Sequence, residues 1–347
     1  MSRGEGLPVP DDISGRSDSD IAIKAVGLTK SFAAGKDSPV TVLDGISFEV
    51  PRGAIVSFLG HNGAGKTTLI RILSTLLSFD AGSVSVFGDD LARDPRAIRD
   101  RIATTGQFAA VDENLTGREN LEFFGRLRRL GRRAAAERAT ELLAVFGLDD
   151  AADRHVKEYS GGMRRRIDIA ISLMVVPDLL FLDEPTTGLD PVSREDLWAL
   201  VRRLRDDGMT LVLTTQYLEE AQALADLVYL LKDGSIVDAG TPGEIRGRLG
   251  THVLVAAFES DSDAKHFGSH LSRAGVVGAG VRTEGRTVTC DVAPGAAAIT
   301  EISHVVAVSG IAPESLSISP PTLNEVFIRV NTADAAATGT GRSGSGR

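Results

Sequence analysis

The segment that most constrains this chain is Gly60-His61-Asn62-Gly63-Ala64-Gly65-Lys66-Thr67-Thr68, set between two apolar patterns of different period. Before it, Ile55 to Leu59 is an apolar stretch of strand length. After it, Leu69, Ile70, Ile72, Leu73 and Leu76 recur at helical spacing. A glycine-rich turn between strand and helix lets the backbone wrap a chain of phosphates, and it aims unpaired N–H groups and the positive end of the helix dipole at them. The pattern Gly-x4-Gly-Lys-Thr is complete. It assigns Gly60, Asn62, Gly63 and Gly65 to the cradle, Lys66 to the β- and γ-phosphates, the Thr67 hydroxyl to Mg²⁺ and Thr68 to a further phosphate contact.

Two further segments narrow the reading. Leu179-Leu180-Phe181-Leu182 reads as a buried parallel strand, which places Asp183 at the carboxyl edge of a sheet beside the phosphate loop, where a carboxylate suits magnesium. Glu184 is expected to turn to the opposite side and to polarise the water that attacks the γ-phosphate. An acidic exit from a surface strand would look the same; the phosphate loop upstream decides between them. Tyr159-Ser160-Gly161-Gly162-Met163 lies between the two motifs, and a Ser-Gly-Gly loop ahead of an acidic strand is much rarer than either motif alone.

With these residues in place, 21–249 resembles a complete ATP-binding-cassette nucleotide-binding domain. Gly106-Gln107, the run Tyr159 to Arg166, and Thr214-Thr215-Gln216-Tyr217-Leu218-Glu219-Glu220-Ala221 resemble the daunorubicin/doxorubicin-resistance ATP-binding family of drug exporters. The resemblance implies an α/β P-loop NTPase fold with a helical subdomain near 109–160. It also implies ATP and Mg²⁺ as ligands, and a head-to-tail dimer in which Ser160, Gly161 and Gly162 complete the partner's ATP site. Gln107 then matches the loop glutamine that senses magnesium and the attacking water, Phe32 the aromatic that stacks on adenine, and Asp190 a dimer-contact aspartate. Gln216 stands where most of the superfamily has histidine. A glutamine amide keeps a neutral hydrogen bond to the γ-phosphate but carries no charge, which puts turnover rate in question and leaves a nucleotide-gated module with negligible hydrolysis as an alternative. His61 replaces a more usual proline, and no role is assigned to it.

Composition sets the remaining bounds. With 42% hydrophobic and 24% charged residues over 347 positions, the chain is long enough for more than one domain. A net charge of −9 argues against broad nucleic-acid binding, and Cys290 alone leaves no intramolecular disulfide. Because no apolar run approaches the roughly 20 residues of a membrane span, the resemblance implies a separate multi-span membrane permease, with this chain at the cytoplasmic face of the cell membrane. The rival cassette classes are less well matched: no coiled-coil insertion or zinc-binding cysteine pair suggests DNA maintenance, and only one phosphate loop occurs. The resemblance implies a hydrophobic drug or antibiotic, anthracycline-like, as the exported cargo, with lipid or polysaccharide export as an alternative.

Residues 1–20 and 331–347, rich in small and polar residues, read as flexible leader and tail. The helical stretch after Gln107 carries Arg126, Arg128, Arg129, Arg132 and Arg133. They read either as a solvated face balanced by Glu119, Glu122 and Glu137, or as a docking site for a membrane partner or anionic lipid. Arg164, Arg165 and Arg166 meet phosphate or a protein acid, or form an exposed turn. Residues 251–330 form a small accessory domain. Strands are expected at 252–258, 278–283, 287–292 and 314–319, with helices at 263–274 and 296–305, a βαββαβ order that suggests a ferredoxin-like α+β fold. Thr322-Leu323-Asn324-Glu325 reads as a capping box opening a last helix.

Overall fold

Apolar runs that alternate between two cores organise the first part of the molecule, which a computed structural model describes over residues 18–33, 39–105, 111–247, 252–274, 280–293 and 296–319. The chain divides into two compact units, Met1–Thr241 and Pro242–Arg347.

In the first unit, β1 (Ile21–Phe32), β2 (Val40–Pro51), β4 (Ala81–Val86) and β5 (Asp89–Asp90) form an antiparallel sheet of order β2-β1-β4-β5. β3 (Ile55–Leu59), β6 (Ile102–Thr105), β7 (Leu179–Asp183), β8 (Thr210–Thr215), β9 (Leu227–Lys232) and β10 (Ser235–Gly240) form a second sheet of order β10-β9-β3-β8-β7-β6. The second sheet is parallel except for the β9–β10 hairpin. Both faces of its central strands are buried, so their residues partition by parity. Val56, Phe58, Leu179, Phe181 and Val212 face the antiparallel sheet, whereas Ile55, Leu180, Leu182, Leu211 and Leu213 face the helices.

The helices of this unit are α1 (Lys66–Leu73), α2 (Pro95–Arg99), α3 (Gly117–Leu127), α4 (Arg132–Val145), α5 (Gly161–Ser172), α6 (Pro191–Asp206) and α7 (Leu218–Leu224). A capping box fixes the start of α3: Thr116 accepts from the Glu119 amide, and the Glu119 carboxylate accepts from the Thr116 amide. Leu121, Phe124, Leu127 and Leu130 recur at helical spacing; Leu121 is buried and Phe124 partly so, but Leu127 is 65% exposed. The two sheets are pinned together by Tyr229. Its ring stacks on Phe58 (5.3 Å), and its hydroxyl donates to the Glu49 carbonyl (2.8 Å) while accepting from the Glu49 amide (3.1 Å). Burial pushes that phenol up to about 12.

The second unit holds α8 (Pro242–Gly247), β11 (His252–Ala257), α9 (Asp261–Ala274), β12 (Arg282–Glu284), β13 (Thr287–Val292), α10 (Ala296–Ser309) and β14 (Ser315–Ser319). The sheet order β12-β13-β11-β14 is fully antiparallel, the arrangement of a ferredoxin-like βαββαβ fold. Phe258, Phe267, Leu271, Val288 and Ile302 fill its core. β12 begins later than the expected 278–283 and includes Glu284, because the tight turn is Gly285-Arg286, with Gly285 at φ +55°. The capping box at 322–325, and Gln107, lie outside the described residues.

Candidate functional site

The phosphate loop leaves β3 at the carboxyl edge of the parallel sheet and enters α1 at Lys66. Its glycines are required by space as much as by conformation. A Cβ on Gly60 would stand 2.4 Å from the Leu231 carbonyl, and one on Gly65, at φ +103°, would meet Leu43 and the Val42 carbonyl at 2.8 Å. Gly63 also has positive φ, +88°, but faces open space. The Gly60 amide donates to the Thr215 carbonyl (3.2 Å), so the loop is tied to the last residue of β8, immediately before Gln216.

Lys66 is buried, and its ammonium donates to the Gly60 (2.7 Å) and His61 (3.1 Å) carbonyls and stands 3.3 Å from Glu184 Oε1. Asn62 and Thr67 are exposed and Thr68 is half-buried, at the first turn where the helix dipole is most positive. Asp183 ends β7 and is buried. β8 lies between β7 and β3, and Asp183 pairs in register with Thr214, whose hydroxyl donates to its Oδ1. Glu184 does not simply alternate to the other side as expected. Its backbone is left-handed, φ +46°, an uncommon conformation for a residue with a Cβ, and it directs the carboxylate to Lys66 while Thr187 donates to Oε2 (3.2 Å).

The Ser-Gly-Gly segment is the start of α5. The Ser160 side chain caps it by accepting from the Met163 amide, and Gly162 permits close packing, since a Cβ there would lie 2.6 Å from Ser193 Oγ. Ser193 in turn donates through its hydroxyl (2.6 Å) and amide (3.0 Å) to Asp190, the cap of α6. These bonds hold the Asp190 carboxyl below its usual range. Gly162 thus packs on the α6 start, while Gly161 and Ser160 are exposed. Phe32 is 41% exposed at the end of β1, with the Lys30 ammonium 5.4 Å from its ring centre, and Gln216 is half-buried just after β8.

Several residues complete the arrangement without having been singled out for it. Of the three consecutive arginines, Arg164 pairs with Glu113 and Arg166 donates to the Phe146 carbonyl, and Arg165, its side chain 12% exposed, makes the most contacts. It pairs with Asp168 (3.3 Å) and donates to the carbonyls of Asp183 (3.1 Å) and Pro185 (2.9 Å), so that of the alternatives open for these arginines Arg164 and Arg165 take the protein acid. Glu220, fully buried, accepts from the Trp198 indole (3.3 Å) through Oε1, and burial raises its carboxyl pKa, while Oε2 has no hydrogen-bond partner among the described residues. An acid amid Thr-Thr-Gln-Tyr-Leu-Glu-Glu carries no sign of such burial. The spacing Trp198-x2-Val201 on α6 and Ala221-x2-Leu224 on α7 would have suggested only that these helices pack.

A glycine-rich loop feeding a helix, a buried lysine in contact with a carboxylate, an aspartate at the end of the next strand but one, and a serine-capped Gly-Gly helix define a P-loop nucleotide hydrolase of the cassette type. Residues 43–187 match the family model described as ABC transporter. The chain is 43% identical over 315 residues to daunorubicin resistance ATP-binding protein DrrA3 of Streptomyces coeruleorubidus, covering 91% of this chain and 97% of that one. It is 52% identical over 233 residues to the daunorubicin/doxorubicin resistance ATP-binding protein DrrA of Streptomyces peucetius, 67% and 69% of the two chains. Among solved structures, a dimeric post-hydrolysis state of the ATP-binding cassette MJ0796 bound to ADP and Pi aligns at 25% identity with TM-score 0.58, covering 63% of this chain and 98% of that one.

This chain therefore belongs to the ATP-binding proteins of ABC transporters and is an ATPase. No helix among the described residues is long and apolar enough to cross a membrane.

Proposed function

We propose that this ATPase energises export of a hydrophobic drug or antibiotic, anthracycline-like in character, through a separate multi-span permease. It would work as a homodimer at the cytoplasmic face of the membrane. The observation that carries the reading is the 43% identity to a daunorubicin resistance protein, sustained over 315 residues and therefore through both units.

Within the site, Lys66 exchanges its loop carbonyls for the β- and γ-phosphate oxygens, while the amides of the loop and of the first turn of α1 hold the rest of the phosphate chain. Glu184, released from Lys66, takes a proton from the water that attacks the γ-phosphate. Gln216 contributes a neutral hydrogen bond to the γ-phosphate, and Phe32 stacks on adenine. The donor chemistry fits magnesium: Asp183 has only Oδ1 engaged by Thr214, and the Thr67 hydroxyl is exposed and has no partner among the described residues, so hard oxygen donors are available. Asp183, Thr67 and Gln107 are the residues that would hold Mg²⁺, which supplies charge neutralisation on the transferring phosphoryl group.

Across the homodimer, Ser160, Gly161, Gly162 and Asp190 of one protomer face the nucleotide of the other. The permease docks at the groove of about 340 Å³ beside the end of β6, lined by Thr75, Leu76, Arg99, Thr104 and Phe124, with Leu76 63% exposed. The second unit, spanning the proposed accessory domain 251–330, serves assembly or coupling.

Phosphate release is measured for wild type and Glu184→Gln, alone and with a co-expressed permease, together with anthracycline efflux from cells carrying both. Release that depends on Glu184 and efflux that needs both proteins are expected. Efflux unaffected by Glu184→Gln sinks the exporter reading, and lipid or polysaccharide export under the same dependence would reassign the cargo.

A further inference from the structure

The tip of the α3–α4 hairpin concentrates positive charge that the protein does not neutralise. Seven arginines lie on this hairpin, and three of them are paired: Arg118 with Asp153 (2.9 Å), Arg133 with Glu137 (2.8 Å) and Arg138 with Glu141 (2.7 Å). Arg126, Arg128, Arg129 and Arg132 make no side-chain hydrogen bond or ion pair among the described residues. For these four, no ion pair with Glu119, Glu122 or Glu137 is formed. Glu119 is committed to the capping box and Glu137 to Arg133, which leaves only the half-buried Glu122.

Every residue from 126 to 133 except Leu130 is exposed. Leu127, 65% exposed, stands among the arginines, and Phe123, one helical turn earlier, is 55% exposed. The first turn of α4 holds Arg132 and Arg133 and no acid, cations placed against the positive end of the helix dipole, where they cost stability. A stable isolated protein gains nothing from that arrangement, and an anionic surface reverses its sign.

We propose that this tip docks on the anionic phospholipid surface of the membrane, the guanidinium groups meeting lipid phosphates and Leu127 and Phe123 entering the headgroup layer. Guanidinium forks match phosphate oxygens in pairs, and clustered basic residues beside exposed apolar ones suit a bilayer surface. In a chain of net charge −9 the attraction is local, so it also orients the molecule. The proposal rests on the exporter reading only for the presence of a bilayer nearby.

The full-length chain is sedimented with vesicles of phosphatidylcholine alone or with about one-third phosphatidylglycerol, at low and at about 0.5 M salt. Wild type is expected to bind the anionic vesicles at least tenfold more tightly, with the preference lost at high salt. Arg→Gln changes at 126, 128, 129 and 132 weaken binding by about fivefold each. The matching Arg→Lys set retains most of it, and Leu127→Ser with Phe123→Ser weakens it while keeping the salt dependence. Basal phosphate release stays unchanged in the arginine variants, which verifies folding and separates this test from that of the exporter reading. Should the quadruple glutamine variant misfold, the pair Arg128→Gln/Arg129→Gln and the wild-type salt titration decide. Equal binding to both vesicle types overturns the proposal. So does wild-type-like vesicle binding by a glutamine variant that has lost stimulation by the permease, since the tip would then be a protein contact.

Discussion

The two units treat polarity in opposite ways. The first buries Lys66, Asp168, Asp183, Thr186, Thr214, Thr215 and Glu220 near the carboxyl edge of its parallel sheet, whereas the second has no buried charged side chain among its described residues and closes on Phe258, Phe267, Val288 and Ile302. Burying charge is costly unless each group is partnered. The first unit meets that cost with a network in which Arg165 holds Asp168 and two carbonyls, Thr214 holds Asp183, and Lys66 meets Glu184. Chemistry belongs to the unit that pays for polarity, and packing alone builds the other.

The sharpest way to break this contrast is Glu184→Gln. Phosphate release is expected to fall about 10²–10⁴-fold with ATP binding retained; comparable turnover in the variant would move the chemistry elsewhere. Next, Phe267→Ala in the second core should cost that unit about 3–5 kcal/mol in urea unfolding while leaving basal phosphate release near wild type. A parallel loss of turnover would show that the units are not independent.

A third test uses pH. Burial raises the Glu220 carboxyl above its unfolded value, so the stability it contributes is complete below the ordinary carboxylate range and is lost as pH rises toward the folded value, by at most about 1.4 kcal/mol per pH unit for one proton. Glu220→Gln cannot ionise. Its urea midpoint should decline less than that of wild type from pH 5 upward, and parallel profiles would refute the assignment. The smallest effect is expected from Phe32→Ala: loss of a stacking contact of about 0.5–1.5 kcal/mol should raise KM for ATP a few-fold with kcat preserved.

How much of this was legible beforehand follows from how local each signal is. β3, α1 and β7 were readable because a phosphate loop and an apolar run carry their own context, and the βαββαβ order of the second unit because its turns and periods are short-range. Asp183 was readable as a strand end, but its partner Thr214 was not, since the β7–β8 register joins residues 31 apart. Arg165 looked like its two neighbours; only the packing of α5 under the β7 exit separates it from them. The left-handed turn at Glu184 had no glycine to announce it. Leu127 followed the helical period yet lies exposed, because α3 ends there and the hairpin apex has no neighbour in the described structure.

Tyr229 fixes the distance between the two sheets' edges. Its hydroxyl grips both backbone groups of Glu49 on β2, and β2 pairs with β1 through Phe32↔Val40, so the aromatic at the end of β1 and the lysine after β3 belong to sheets that cannot slip past each other by a residue without breaking both bonds. On the proposed reading, this sets a fixed gauge between base and phosphates. The two marks of that gauge lie on different sheets, and the Tyr229 phenol, together with the Asp44 amide bonded to the Gly234 carbonyl (2.9 Å), keeps them in place.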